Sequence, residues 1–346
     1  YKYFLRKTYL KVFKELKDTV MFVKSLPNVS RLLANVPSYM IFDDHEITDD
    51  WYLSKRWRLQ VLKKELGKDI LRNGLMAYAI FQDWGNVPDE YVPEAPQGGD
   101  TSPITKRTEL LRKSIEYCGD LKNSEDRPAV ADEIDMLLGI QQVAESQVKW
   151  HFNVRTGDTR TFVLDTRTRR EFDSLDAPPV LLSSDAIDEQ LPLPHPDGAS
   201  TPFTFVVSAA PAPGMQSIEQ LAQPLYASYY GMKAKVEHND LTDDDVGIVH
   251  GFAGADYEAW GFSVKGLESL LDRLANYKSV ILFSGDVHYG FSSVVDYWKG
   301  TSTTPRARIL TFTSSSAKNE DAGKWNLVNT AFVQRLMTGI GNNMEK

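Results

Sequence analysis

A single cysteine, Cys118, in 346 residues rules out an intrachain disulfide. It closes a helical-looking stretch from Leu110 to Tyr117 and reads as a buried or idle thiol. No apolar run approaches the roughly 20 residues needed to cross a bilayer, so no transmembrane helix is expected. Positive charge is also short. A net charge of −8, with no basic stripe, argues against a long nucleic acid as the main partner. The Lys- and Arg-rich segment 54–72 reads as the solvated face of a helix. A small phosphate-bearing substrate is not excluded, because bound cations reverse a local field. Histidine is scarce too, at six. His151, His195, His238 and His250 stand without supporting neighbours, although His250, in an acidic glycine-bearing loop, is within possible reach of a site. The chain opens Tyr1-Lys2-Tyr3-Phe4, with neither Met nor signal peptide, and reads as the interior of a longer protein, so no compartment is assigned.

What is present is ordinary material for a globular domain, 42% hydrophobic and 25% charged, and long enough for one elaborated domain over 1–346. Phe4, Leu5, Tyr9, Phe13, Leu16 and Val20 fall on one face of a helix over 1–25. Pro37 then introduces a first strand, Tyr39-Met40-Ile41-Phe42. Helical patterning resumes from Trp51 to Trp84, with a stripe through Leu59, Leu62, Leu66, Ile70, Leu75 and Ile80. Prolines and glycines mark 86–103 as irregular. Helices near 104–118 and 128–145 follow, so 86–147 reads as an insertion or lid. A hairpin is expected at 148–154 and 161–165 about Thr156-Gly157-Asp158. Next come a short helix at 184–190, a strand at 203–207 and an acidic loop at 236–261. A helix from Val264 to Tyr277, strands at 279–284, 291–297 and 307–313, and a last helix near 324–338 complete the series. The α/β order predicts a mixed sheet, or two stacked sheets, flanked by helices.

Two segments share one grammar. Asp43-Asp44-His45-Glu46 ends the first apolar run, and Ser284-Gly285-Asp286-Val287-His288-Tyr289 ends the run Ser279 to Phe283. Residues at the carboxyl ends of buried strands sit where ligands usually bind in open α/β sheets. Acids and histidines converging there suit hard divalent or trivalent cations. The acids at 43–46 also fit a helix N-cap, and both readings stand at this point. The one-residue gap puts Asp286 and His288 on one face of an extended segment, and Gly285 offers a close approach or an unusual dihedral. Arg167 and Arg170 have the fork geometry that clamps phosphate. A salt bridge with Asp165 or a surface acid is the other reading, and it is preferred for Arg170. Tyr289 and Trp260 are read as pocket lining or core. Ser314-Ser315-Ser316 lacks the glycine elbow of a serine nucleophile.

Together these segments resemble the metallophosphoesterases, and within them the PhoD-like alkaline phosphatase family. The resemblance rests on D-D-H-E-x-x-x-x-W (Asp43 to Trp51), L-D-T-R-x-x-R (Leu164 to Arg170) and S-G-D-V-H-Y (Ser284 to Tyr289). Weaker echoes lie at Asp256 to Phe262 and Phe312 to Ser316, all in the family's order. It implies a four-layer α-β-β-α sandwich with an inserted helical segment and a dinuclear centre of Fe, Ca, Mn or Zn at the strand ends. Asp44, Asp286 and His288 would be metal ligands, with Asp43 and Glu46 just behind them. His45 would protonate the leaving alkoxide, and Arg167 and Tyr289 would touch substrate. The implied activity is metal-dependent hydrolysis of phosphate mono- or diesters, with hydroxide attacking phosphorus. The family's first ligands, a D-x-H-like strand and a following G-D segment, are not found upstream of residue 36. An N-terminally incomplete member is therefore expected. The alternative is an inactive scaffold that retains the fold; a nuclease or another metallohydrolase is a third reading.

Overall fold

The computed structural model describes residues 2–48, 51–91, 104–119, 125–140, 147–175, 177–194, 203–214, 259–277, 279–287 and 290–314, with backbone alone at 2–11, 14, 15 and 18. The chain divides into two compact units, Tyr1–Met40 and Ile41–Lys346. The first is a 34-residue helix, α1 (Lys2–Asn35), which runs through Pro27. Phe13, Leu16 and Val20 of its expected apolar face are exposed, as are Phe22, Leu26 and Leu33. No helix among the described residues is long and apolar enough to cross a membrane.

The second unit opens with helices: α2 (Lys55–Leu62), α3 (Glu65–Tyr78), a π-turn (Ala79–Asp83), the short α4 (Trp84–Asn86), α5 (Lys106–Cys118) and α6 (Arg127–Leu137). The expected strand at 39–42 does not form. Phe42 packs instead among Trp51, Tyr78 and Trp150, at ring centroid distances of 5.4, 4.7 and 6.2 Å. So short an apolar run cannot declare its partner by periodicity, and here helices claimed it. The stripe expected from Leu59 to Ile80 holds in part: Leu75 is buried and Leu62 and Ile80 pack partly buried against the core, whereas Leu59, Leu66 and Ile70 are exposed and Leu71 and Tyr78 are buried in their place. The break at Lys63-Lys64 resets the helical phase. Gly67 permits that corner, because a Cβ there would lie 2.3 Å from the Val61 carbonyl oxygen. The described part of 86–147 packs into this same core through Leu110, Leu111, Tyr117, Val130 and Ile134. Cys118, expected to be buried or idle, is exposed.

The remainder is α/β: among the described residues, a mixed six-stranded sheet with helices. A hairpin of β1 (Phe152–Thr156) and β2 (Thr159–Val163) turns at Gly157, whose φ is 57°. The helix α7 (Ser184–Gln190) leads towards β3 (Thr204–Ser208), and α8 (Val264–Leu274) towards β4 (Val280–Ser284). The edge pair is β5 (Phe291–Tyr297) and β6 (Ala307–Thr313), both within the expected bounds. The order is β1-β2-β3-β4-β6-β5, parallel from β2 to β6 and antiparallel at both edges. Ser208, Ser284 and Thr313 are in register, so the carboxyl ends of β3, β4 and β6 finish along one line.

The two faces of the sheet differ. Val206, Leu282 and Ile309 are buried with Ile187 of α7 and Leu270 and Leu274 of α8. On the other face Phe205, Phe283 and Phe312 form a ladder with centroids 5.9 and 6.0 Å apart, and Phe283, Phe312, Leu310 and Val294 are exposed. The last helix expected, near 324–338, lies outside the described residues.

A buried ion pair ties α3 to α6: the Arg72 guanidinium donates to both Asp135 carboxylate oxygens, at 2.6 and 2.7 Å. Removing one partner leaves an uncompensated buried charge, so Arg72→Met is expected to cost about 3–5 kcal/mol. The double variant with Asp135→Leu should recover most of that loss. Urea denaturation checks both; equal midpoints for Arg72→Met and the parent would refute the expectation.

Candidate metal centre

The site begins with the burial of Phe42, which fixes the chain entering Asp43. One tight turn follows. The Ile47 and Thr48 amides both donate to the Asp44 carbonyl at 2.9 Å. Glu46 Oε2 accepts from the Asp43 amide at 2.8 Å, and Asp44 Oδ1 accepts from the His45 amide at 2.9 Å. The Glu46 contact is the reciprocal half of a capping box. The capping chemistry is therefore present, but it closes a single turn and starts no helix. Glu46 is used in shaping the backbone and one Asp44 oxygen holds the His45 amide, while Asp43 turns its carboxylate towards Arg167.

Opposite them stands the loop that leaves β2. Asp165 is buried and organises it as an Asx-type turn. Its Oδ1 accepts from the amides of Arg167 (3.1 Å) and Thr168 (2.9 Å), and the Thr168 hydroxyl donates to Oδ2. Gln190 of α7 accepts from the Asp165 amide at 2.9 Å. Burial pushes the Asp165 carboxyl up, and the hydrogen bonds from Thr168 and the Arg167 amide oppose that shift.

The turn aims Arg167 at the acids. The guanidinium is 1% exposed and pairs with Asp43 through Nε and Nη2, with Nη2 also 3.4 Å from Asp44 Oδ1. Its Nη1 donates to the Trp51 carbonyl at 3.1 Å. Arg170 donates to the carbonyls of Thr166 (2.8 Å) and Tyr52 (2.9 Å). Tyr52 has a left-handed φ of 59°. The segments D-D-H-E-x-x-x-x-W and L-D-T-R-x-x-R thus interlock through two arginines and two carbonyls. Arg167 braces the acids, where the sequence left a phosphate clamp and an ion pair equally open. Its ionic partners are Asp43 and Asp44; the Asp165 carboxylate instead receives backbone amides.

The third acid arrives from β4. Gly285 continues the ladder by donating its amide to the Ala209 carbonyl at 3.0 Å, and Val287 folds back to the Gly285 carbonyl at 2.9 Å. Asp286 sits between them with φ 69°. This is the rare, strained hand of the γ-turn. The unusual dihedral expected of Gly285 therefore falls on Asp286. Left-handed backbone at a β-carbon-bearing residue is uncommon and clusters at functional sites.

Ligand atoms of Asp43, Asp44 and Asp286 lie within 4.8 Å of one another, and the three residues could hold a metal ion. At that range like charges repel by roughly 3 kcal/mol per pair at an effective dielectric of about 20. Arg167 supplies a positive charge to Asp43 and Asp44. The all-oxygen donor set of the three acids fits a hard divalent or trivalent cation. His45 is exposed beside these acids. His288 and Tyr289 lie outside the described residues, as do His195, His238, His250 and the acidic part of the Asp256 to Phe262 echo. Trp260 belongs to the core, buried and donating to Ser208 Oγ at 3.0 Å. Comparisons with protein-family models, curated proteins and solved structures return no match.

Arg167→Met is expected to lower the unfolding free energy by about 3–5 kcal/mol in metal-free buffer, because two carboxylates lose their counter-charge. Asp286→Gly is expected to raise it by about 1 kcal/mol, since it removes a like charge and relieves the left-handed backbone. Urea unfolding in the presence of chelator measures both. Neutrality of Arg167→Met would show that the brace is not needed.

Proposed function

We propose that this chain is a metal-dependent phosphoric ester hydrolase of the PhoD-like kind, acting on phosphate mono- or diesters. One observation carries the reading: carboxylates some 240 residues apart in sequence meet at the carboxyl edge of a mainly parallel sheet, in the two segments whose motifs resemble that family. Ligand sites of open α/β sheets lie at such edges. A cation held there supplies Lewis-acid activation of water and neutralises charge on phosphoryl oxygens. The chain's own part is to fix the acids. Arg167 sets how closely Asp43 and Asp44 approach, and the γ-turn delivers Asp286. His45, exposed beside them, is the candidate proton donor to the leaving oxygen. Asp44 and Asp286 are proposed as ligands with His288, and Asp43 joins them on proximity. Tyr289 is proposed to touch substrate, and the ion to be Fe, Ca, Mn or Zn. A four-layer sandwich, which we also propose, is supported by a sheet helix-covered on one face and apolar on the other.

The second reading, an inactive scaffold, is favoured by Arg167 itself. A guanidinium already paired with Asp43 and Asp44 lessens the need for a cation. Metal content and turnover separate the two readings. The purified chain is expected to bind divalent metal and to hydrolyse p-nitrophenyl phosphate or bis(p-nitrophenyl) phosphate. Chelation and Asp286→Ala should each reduce the rate by about 100-fold or more. A rate that survives both treatments would rule out the metallohydrolase, and absence of bound metal would leave the scaffold.

A further inference from the structure

A concavity of about 750 Å³ is lined by no member of the acidic cluster. Its walls are the start of α5, the segment running into β1, and the loop after β2. They carry Lys106, Arg107, Lys149, His151 and Arg169, with Glu90 the one acidic lining residue among those described. In a chain of net charge −8, this concentration of cations calls for a physical reason. Some of it is internally answered. Arg107 donates to Asp83 and Glu90 at 2.6 Å, and Glu189 is shared by Lys149 and Arg169. The sharing leaves two cations to one carboxylate, and Lys106 has no ion-pair partner among the described residues.

We propose that this cleft binds a small multivalent oxyanion, a phosphorylated or polycarboxylate metabolite, at a place separate from the acidic cluster. Its volume falls in the range of small-ligand sites, and its cations come from three separate segments, so a ligand there would be held from several sides. The first turn of α5 supplies Lys106 and Arg107, which brings the positive end of a 13-residue helix to the same cleft. Two of the bases lining it feel both burial and the charge of its other cations. Burial lowers the Lys149 amine first, and Arg169 and Lys106 lower it further. His151 is pushed down to about 4, by burial and then by Arg107, Arg169 and Lys149. Its Nδ1 is buried with no hydrogen-bond partner. Lys149 is lowered although it pairs with Glu189. A bound oxyanion would supply both a counter-charge and a partner for the ring.

The inference does not rest on the phosphoesterase reading, and its test is arranged to keep the two apart. Metal-depleted Asp286→Ala protein, in which phosphate cannot bind through a cation at the acidic cluster, is titrated with inorganic phosphate, pyrophosphate and citrate. Calorimetry follows binding, and NMR of the His151 ring follows the cleft. At least one anion is expected to bind, to shift the His151 resonances and to move its titration midpoint upward from about 4. The phosphates and citrate separate phosphorylated from polycarboxylate ligands. Lys149→Ala and Arg169→Ala should each weaken binding about tenfold or more. If none of the three anions perturbs His151 at millimolar concentration in the otherwise intact chain, the site does not exist. Binding unchanged in both variants, with their folded spectra retained, would place the anion elsewhere and equally overturn the proposal.

Discussion

Consecutive carboxylates held beside a hydrophobic core repel one another and lose hydration, and a third from a distant strand end makes matters worse. The Arg167 guanidinium makes this arrangement tolerable. It is almost wholly buried and engages Asp43, Asp44 and the Trp51 carbonyl together. Nearby features serve to hold it there. Asp165 spends its carboxylate on backbone amides, Gln190 pins the Asp165 backbone, and Arg170 ties the same loop to Tyr52. The two motif segments are therefore one mechanical unit, and a disturbance in either displaces the acids.

The sheet contributes position more than chemistry. Parallel pairing through β2, β3, β4 and β6 brings strand ends to one edge, and β4 delivers Asp286 just beyond its last ladder bond. A strained residue persists only where its surroundings over-determine it. Here the Gly285 amide is bound to Ala209 and the Val287 amide closes back on Gly285, so Asp286 is held from both sides. The same sheet bears a phenylalanine ladder on its less covered face. Exposed aromatic area of that kind is costly to leave in water, and a second layer over it is the usual solution.

Several elements were legible in the sequence. The strands β5 and β6 and the short helix α7 fall at the bounds expected of them. The run 39–42 was not legible, because four apolar residues fit a strand or a packed coil equally well and the choice lay with Trp51 and with Tyr78 and Trp150, the last two remote in sequence. The stripe of α2 and α3 held only at Leu62, Leu75 and Ile80, for a related reason: a break of two lysines shifts the phase without altering composition. At the candidate site the sequence marked the acids but could not tell which oxygen faces which nitrogen. That Arg167 turns inward follows from the buried Asx turn at Asp165, and the L-D-T-R spacing was the signal for that turn. The left-handed Asp286 had no signal of its own, since the adjacent glycine was the more natural place for it.

One loop bears on both polar regions of the second unit. The Asp165 turn presents Arg167 to the acidic cluster, and two residues on it presents Arg169 to the cationic cleft. Arg169 also pairs with Glu189, one residue before the Gln190 that fixes the Asp165 backbone. A charge entering the cleft would compete with Glu189 for Arg169, and so would act on α7 at the point where that helix grips the turn. The acids cannot move apart without disturbing Arg167, nor Arg167 without the turn. Such a chain of directional contacts, buried at Asp165, Arg167 and Gln190, has little slack. The spacing of the carboxylates is therefore a property of the whole loop, and residues that never touch the cluster take part in setting it.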